Sequence, residues 1–235
     1  MTSISESYEL IRSLIGSAEE KSGRDAGSVQ LIAVSKTWPA EVVSELVGCG
    51  QKDFGENRVQ ELEIKCPDLP SSLKWHFIGH LQKNKVRKVL PFAETIHSVD
   101  SLDIAKRINT IAHELGLFPK IYVQVNHAGE STKFGFSPEE LSSSFDSLLQ
   151  LDRIEIEGLM SIPPFDSDPE NVRPEFAALR KLRDELEQKN DIKLPGLSMG
   201  MSNDFHVAIE EGSTSVRIGS LIFGKRKVIK PNQNE

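Results

Sequence analysis

Along the chain, short apolar runs alternate with longer stretches whose apolar positions fall three and four residues apart. The first kind reads as strands buried on both faces, the second as helices with one buried face. The pattern opens with a helix over residues 3–21, where Tyr8, Ile11, Leu14, Ile15 and Ala18 share a face and Ser22-Gly23 ends it. The first strand is 31–34. Pro39 then starts a helix at a position where its missing N–H costs little, with Val42, Val43, Leu46 and Val47 inward and Gly48 and Gly50 at its end. Six further strands read at 53–57, 74–79, 94–99, 120–126, 154–161 and 196–201. Helices follow them at 59–64, 83–89, 102–115, from near 138, at 174–189 and at 203–211. An eighth strand, 213–219, precedes a short helix over 221–223.

Eight strand–helix alternations predict an α/β domain with a parallel sheet. The count of eight predicts closure into a single (β/α)8 TIM-type barrel with an extra N-terminal helix, in preference to an open doubly wound sheet. No linker or shift of composition divides residues 1–235. Residues 1–22 read as a flanking helix, and 225–235 as a basic then polar tail carrying Lys225, Arg226, Lys227 and Lys230, expected to be solvated.

Composition narrows the function. The net charge of −7 argues against nonspecific nucleic-acid binding. Cys49 and Cys66 lack metal-ligand spacing, and the six histidines include no HxH or HxxxH pair on a helix, so no metal site is expected. The polar opening stretch and the absence of a long apolar run predict a cytoplasmic protein that does not contact membrane. A monomer is expected.

The chemistry should sit at the C-terminal ends of the strands. Lys36 lies there, after the apolar run 31–34. A lysine at the end of a buried strand is either a salt-bridge partner or a functional amine, because desolvation favours its neutral, Schiff-base-forming state. The other strand ends read Asn57, His80, Asn126, Ser161, Ser202 and Gly219-Ser220. The last two loops, Ser198-Met199-Gly200-Met201-Ser202 and Arg217-Ile218-Gly219-Ser220, combine glycines with hydroxyls ahead of helices. They follow strands seven and eight, the recurrent phosphate site of this fold. A phosphate site and a reactive lysine in one barrel point to pyridoxal phosphate, whose aldehyde needs the amine and whose phosphate needs the loops. Asn84 and Lys85 read as surface helix residues, with Asn84 alternatively capping a loop near the site. Lys133, in the loop with Gly129 and Gly135 after strand five, reads as a solvated lysine or alternatively as a second amine near the cofactor.

The stretches AVSKT, FGENRVQE, WHFIGHLQKNK, STKFGF, SMGMSNDF and GSTSVRIGSLIFGKR occur in order over nearly the whole chain. They resemble the pyridoxal-phosphate-binding homeostasis family, also called the YggS or PROSC family, which is similar to the barrel domain of alanine racemase. The resemblance implies that Lys36 carries the cofactor as a Schiff base. It implies that Ser198, Ser202, Gly219 and Ser220 hold the phosphate, with Gly200 and Met201 in that loop. Arg217 would face the pyridine nitrogen, and Asn57, His80 and Met199 would line the pocket. The implied function is to hold pyridoxal 5'-phosphate and supply it to apo pyridoxal-phosphate enzymes, without substantial catalysis.

The rival readings are an amino-acid racemase and a Schiff-base aldolase. Racemisation needs a second base besides Lys36. The racemase draws its tyrosine from a C-terminal domain, and here only Tyr8 and Tyr122 are available, neither expected at the barrel mouth. An arginine at the ring nitrogen also weakens the electron sink, because it has no acceptor and stays protonated.

Overall fold

The structure, a computed structural model, describes residues 3–127 and 134–224. Gly129, Lys133 and the basic tail lie outside the described residues. The chain begins with α1 (Ile4–Lys21), then β1 (Gln30–Val34), α2 (Ala40–Gly48), β2 (Asp53–Glu56), α3 (Val59–Asp68) and β3 (Lys74–Phe77). A 3-10 turn, Lys83–Lys85, leads into α4 (Val86–Val89), followed by β4 (Thr95–Val99), α5 (Leu102–Leu115), β5 (Lys120–Val125) and α6 (Pro138–Leu149). The last third carries β6 (Glu155–Ser161), α7 (Arg173–Asn190), β7 (Gly196–Met201), α8 (Phe205–Glu210), β8 (Ser215–Ile218) and α9 (Ser220–Phe223).

The strands pair in parallel in the order β1 to β8, and β8 pairs back onto β1, so the sheet closes as a barrel. The closing register sets Gln30 against Ser215 and Ala33 against Ile218. Helix limits follow local chemistry. Ser3 and Ser137 each form a capping box, with Glu6 and Glu140 respectively. Ser101 caps α5, and Gly116, at φ +67°, ends it. Pro39, expected as the first helical residue, is instead the N-cap of α2, which begins one residue later at Ala40. Helix α3 runs past the expected residue 64 through Pro67, because Leu62 and Lys65 bury the face it presents.

Each strand sends alternate residues to two different cores. Leu31, Ala33, Phe54, Trp75, Phe77, Ile96, Val123, Leu159, Leu197, Val216 and Ile218 face the helices and pack with Leu46, Leu62, Phe145 and Phe176. The barrel's inside is more polar, holding His76, His97, Ser198 and Arg217 in mutual contact.

Helix α1 lies against α2, α8 and α9, beside the seam where β8 meets β1. Two contacts pin its end. Buried Glu19 accepts from the N–H groups of Gly27 at 3.0 Å and Val29 at 2.6 Å, and the Arg24 guanidinium donates to the Ser213 carbonyl at 2.6 Å. Among the described residues no helix is long and apolar enough to cross a membrane.

Candidate functional site

Lys36 stands two residues beyond β1, in a turn clamped on both sides. Before it, the Ser35 hydroxyl donates to Glu56 Oε1 at 2.6 Å, and the Ser35 carbonyl accepts from Lys65 Nζ at 2.9 Å. After it, Thr37 takes the left-handed conformation at φ +72°, which few non-glycine residues adopt. The Thr37 N–H donates to Glu61 Oε2 at 2.7 Å. Lys65 joins the two acids, 2.6 Å from Glu56 and 2.8 Å from Glu61. One ammonium thus serves two carboxylates. Glu61 reaches solvent and the Thr37 N–H, and its carboxyl is held below the usual range. Glu56 is fully buried with Oε2 unpartnered, and burial pushes its carboxyl up to about 7.

Beside this turn a cavity of about 380 Å³ opens at the C-terminal face of the barrel. That volume lies within the range of roughly 300–1,000 Å³ typical of small-ligand and cofactor sites. Lys36 and Asn57 line one side, from the ends of β1 and β2. Ser202 and Asn203 follow β7, and Gly219 and Ser220 follow β8, on the other side. Arg217 lies at the inner end, buried, and burial pulls its guanidinium down to about 10, still protonated at neutral pH. Val34, Trp38, Ile78, Ile162, Phe165 and Met201 supply the apolar surface. Trp38 is stacked on Phe223 with ring centroids 5.9 Å apart, which fixes one wall.

Of the eleven residues expected at the site, Lys36, Asn57, Met201, Ser202, Arg217, Gly219 and Ser220 come together around this cavity. The other four do not line it. Ser198 is deeper in the barrel, accepting from Arg217 Nη1 at 2.6 Å. Met199, the next residue of β7, points outward into the helix-packed core. Gly200, at φ +94°, lies where α8 closes on the strand, and a Cβ there would come within 2.7 Å of the Ala208 Cβ. His80 belongs to a neighbouring groove, with Nδ1 3.0 Å from Asp100 Oδ2 and its ring stacked on Phe134. The SMGMS stretch is thus mostly strand interior, and only its end enters the cavity. The Met201 N–H is already taken, donating to Asp204 Oδ1 at 2.6 Å.

Sequence reasoning missed Trp38, Asn203, Phe165 and the Glu56–Lys65–Glu61 cluster. Trp38 directly follows the AVSKT stretch, and Asn203 lies within SMGMSNDF itself, so one more residue of the first and a closer reading of the second would have found them. Phe165 sits in a loop without local pattern, held near the site by Asn203 Nδ2 donating to the Asp166 carbonyl at 2.8 Å. Tyr122 is in the barrel's interior, stacked on His97 with ring centroids 4.5 Å apart, and does not line the cavity.

The geometry suits a ligand that combines an electrophilic carbon with an anionic group. Asn57 Oδ1 is buried with no partner, so the cavity wall holds an acceptor that a bound molecule would satisfy. At Gly219 a Cβ would press to 3.0 Å from the Val34 carbonyl, so the backbone of that loop is kept bare. Hydroxyls and backbone beside a bare glycine favour an anion, and Arg217 offers N–H donors from below.

Known proteins are similar to this chain to different depths. The alanine racemase N-terminal domain family matches residues 20–227. The pyridoxal phosphate homeostasis protein of Aquifex aeolicus is 47% identical over 214 residues, covering 91% of this chain and 94% of that one. Its counterpart from Pseudomonas aeruginosa is 41% identical over 230 residues, covering 96% and 97%. Among solved structures, PipY of Synechococcus elongatus with PLP bound is similar at a TM-score of 0.80 and 41% identity, covering 89% of this chain and 100% of that one. Alanine racemase of Clostridium difficile shares the fold, at a TM-score of 0.71 and 18% identity over 92% of this chain and 59% of that one.

Proposed function

The chain belongs to the pyridoxal phosphate homeostasis protein family, and on that premise we propose that it binds pyridoxal 5'-phosphate at the C-terminal face of its barrel and passes it to apoenzymes. The observation that carries this reading is the convergence of Lys36, Arg217 and the Ser202 and Gly219-Ser220 loops on one cavity. The cofactor would supply an aldehyde able to form a Schiff base and a ring able to delocalise charge.

The chain's own residues have separable roles. Lys36 supplies the amine, and the clamped turn holds it facing the cavity. Ser202, Gly219 and Ser220 would take the phosphate through hydroxyl and backbone donors. Ser198, four residues deeper than Ser202, acts on Arg217 instead of on the phosphate. Arg217 would face the ring nitrogen and, having no acceptor, would leave it without a proton. Asn57 and Met201 complete the walls.

This arrangement favours holding over turnover. Inverting a substrate carbon takes proton transfer on two faces. Lys36 provides one, and Tyr122 is packed beneath His97 inside the barrel. The mouth, edged by the exposed ring of Phe165, leaves a route for handing the cofactor on.

One experiment addresses both halves. The protein is loaded with pyridoxal 5'-phosphate, freed of excess, and divided. One part is reduced with borohydride and mapped by mass spectrometry; the other is mixed with an apo pyridoxal-phosphate enzyme and with L-amino acids. The expected outcome is fixation on Lys36, loss of fixation in Lys36→Ala, and recovery of the recipient's activity. Fixation on another lysine would overturn the site. Turnover of amino acids at about one per second or faster would overturn the carrier role.

A further inference from the structure

A polar chain runs from the cavity down through the barrel. Arg217 Nη1 donates to Ser198 Oγ at 2.6 Å. Ser198 Oγ is 2.8 Å from His97 Nδ1, His97 Nε2 is 2.9 Å from His76 Nδ1, and His76 Nε2 is 3.2 Å from Asp53 Oδ1. Ser198 and His97 are fully buried, and His76 nearly so. The chain joins strands β8, β7, β4, β3 and β2, crossing the barrel from the cavity side to the opposite rim.

With one proton on each imidazole, its two ends fix the order of protons along it. Arg217 can only donate. Asp53, partly exposed and already accepting from Gln30 Nε2 at 2.8 Å, acts as a carboxylate acceptor. His76 must therefore carry its proton on Nε2. With neutral rings its Nδ1 is bare and accepts from His97 Nε2–H. His97 Nδ1 is then bare and accepts the Ser198 hydroxyl proton. That leaves the Ser198 lone pairs to receive Arg217. Full burial beside Arg217 and His76 keeps the His97 ring neutral, its pKa well below the usual value. The reverse order would set a bare His76 nitrogen against the Asp53 carboxylate. Tyr122, stacked on His97, holds that ring's plane.

We propose that Asp53, His76, His97 and Ser198 are positioning residues for Arg217, forming a one-way hydrogen-bonded chain through the barrel that fixes the guanidinium at the floor of the cavity. A second tether, Arg217 Nη2 to the Ser161 carbonyl at 2.9 Å, sets the plane of the fork. The guanidinium's remaining donors are thereby presented to the cavity. The consequence for pyridoxal phosphate rests on the function proposed above; the proton order does not.

The test uses the full chain labelled with nitrogen-15 in histidine, read by long-range proton–nitrogen correlation with and without pyridoxal 5'-phosphate. Signals are assigned with His76→Gln and His97→Asn. Both rings are expected neutral, with protonated Nε2 and bare Nδ1. A proton on His97 Nδ1, or a doubly protonated ring, would overturn the proposal. Because changes at His97 can unfold the core, the decisive variant is Asp53→Ala at the rim. It should release His76 into tautomer exchange and weaken pyridoxal 5'-phosphate binding by about fivefold, the worth of one net hydrogen bond. Asp53→Asn, which keeps an acceptor oxygen, should restore both. An Asp53→Ala protein with unchanged tautomers and unchanged affinity would sink the chain's role. If the parent binds no pyridoxal 5'-phosphate, the function proposed above fails, and the tautomers alone decide the proton order.

Discussion

Glu56 shows how a single buried carboxyl bears on the presentation of Lys36. It holds Ser35, immediately before Lys36, and shares Lys65 with Glu61, which holds Thr37 immediately after. Its carboxyl is pushed up to about 7 by burial. A raised folded-state value means that the group's stabilising contribution is present in full below its ordinary value and is lost as pH rises through 7. Glu61 shifts the other way, so its loss falls at lower pH and is separable. The parent should therefore lose more stability than Glu56→Gln between pH 5 and 8, by up to about 3 kcal/mol. Urea denaturation at several pH values measures the difference, and parallel curves for the two proteins would refute it. The sequence displayed Glu56 within FGEN, but its partner Lys65 comes from α3, nine residues on. No spacing rule joins a strand end to the middle of the next helix. Lys36 was legible because a cation after four apolar residues is costly enough to need a reason. His80 was misjudged because a strand-end position says which face a residue is near, not which groove it enters.

At the scale of elements, periodicity was sufficient for the number and order of strands and for most helix limits, since burial of one face or two leaves distinct patterns. Close approaches between elements are not written that way. Gly16 and Gly158 read alike in the sequence. Gly16 lies within α1, and nothing comes within 4 Å of a Cβ built there. At Gly158, on β6, a Cβ would fall 1.8 Å from the Gly196 carbonyl oxygen of β7. Gly196 in turn lies under the Tyr122 ring, 2.5 Å from where its own Cβ would be. Gly16→Ala should thus stabilise the protein by up to about 1 kcal/mol. Gly158→Ala should destabilise it by about 3 kcal/mol or more, since backbone and not a flexible side-chain tip must move. Thermal unfolding of both variants distinguishes them; similar melting temperatures would mean that β6 and β7 are less tightly apposed than described. The same limit accounts for the SMGMS stretch. Its residues looked like a phosphate loop, yet β7 alternates, sending Ser198 inward and Met199 outward.

Over the whole molecule, the seam between β8 and β1 ties the fold to its proposed ligand. Closing that seam brings Gly219 against Val34 and sets the Ser220 loop across the cavity from Lys36. A molecule held by both sides would cross-brace the closure and bind only the folded state. Pyridoxal 5'-phosphate at a hundred times its dissociation constant should then add about 2.7 kcal/mol to the folding free energy. For a chain of this length that corresponds to a rise in melting temperature of roughly 5–10 °C. Pyridoxal at the same concentration keeps the aldehyde for Lys36 but engages neither Ser202 nor Gly219-Ser220, so its shift should be much smaller. Lys36→Ala should retain part of the pyridoxal 5'-phosphate shift, because the phosphate contacts survive without the covalent one. Differential scanning of the parent and the variant with each compound separates the two contributions. Equal shifts from the two compounds would place the binding energy on the amine side alone and remove the reason for bare backbone at Gly219.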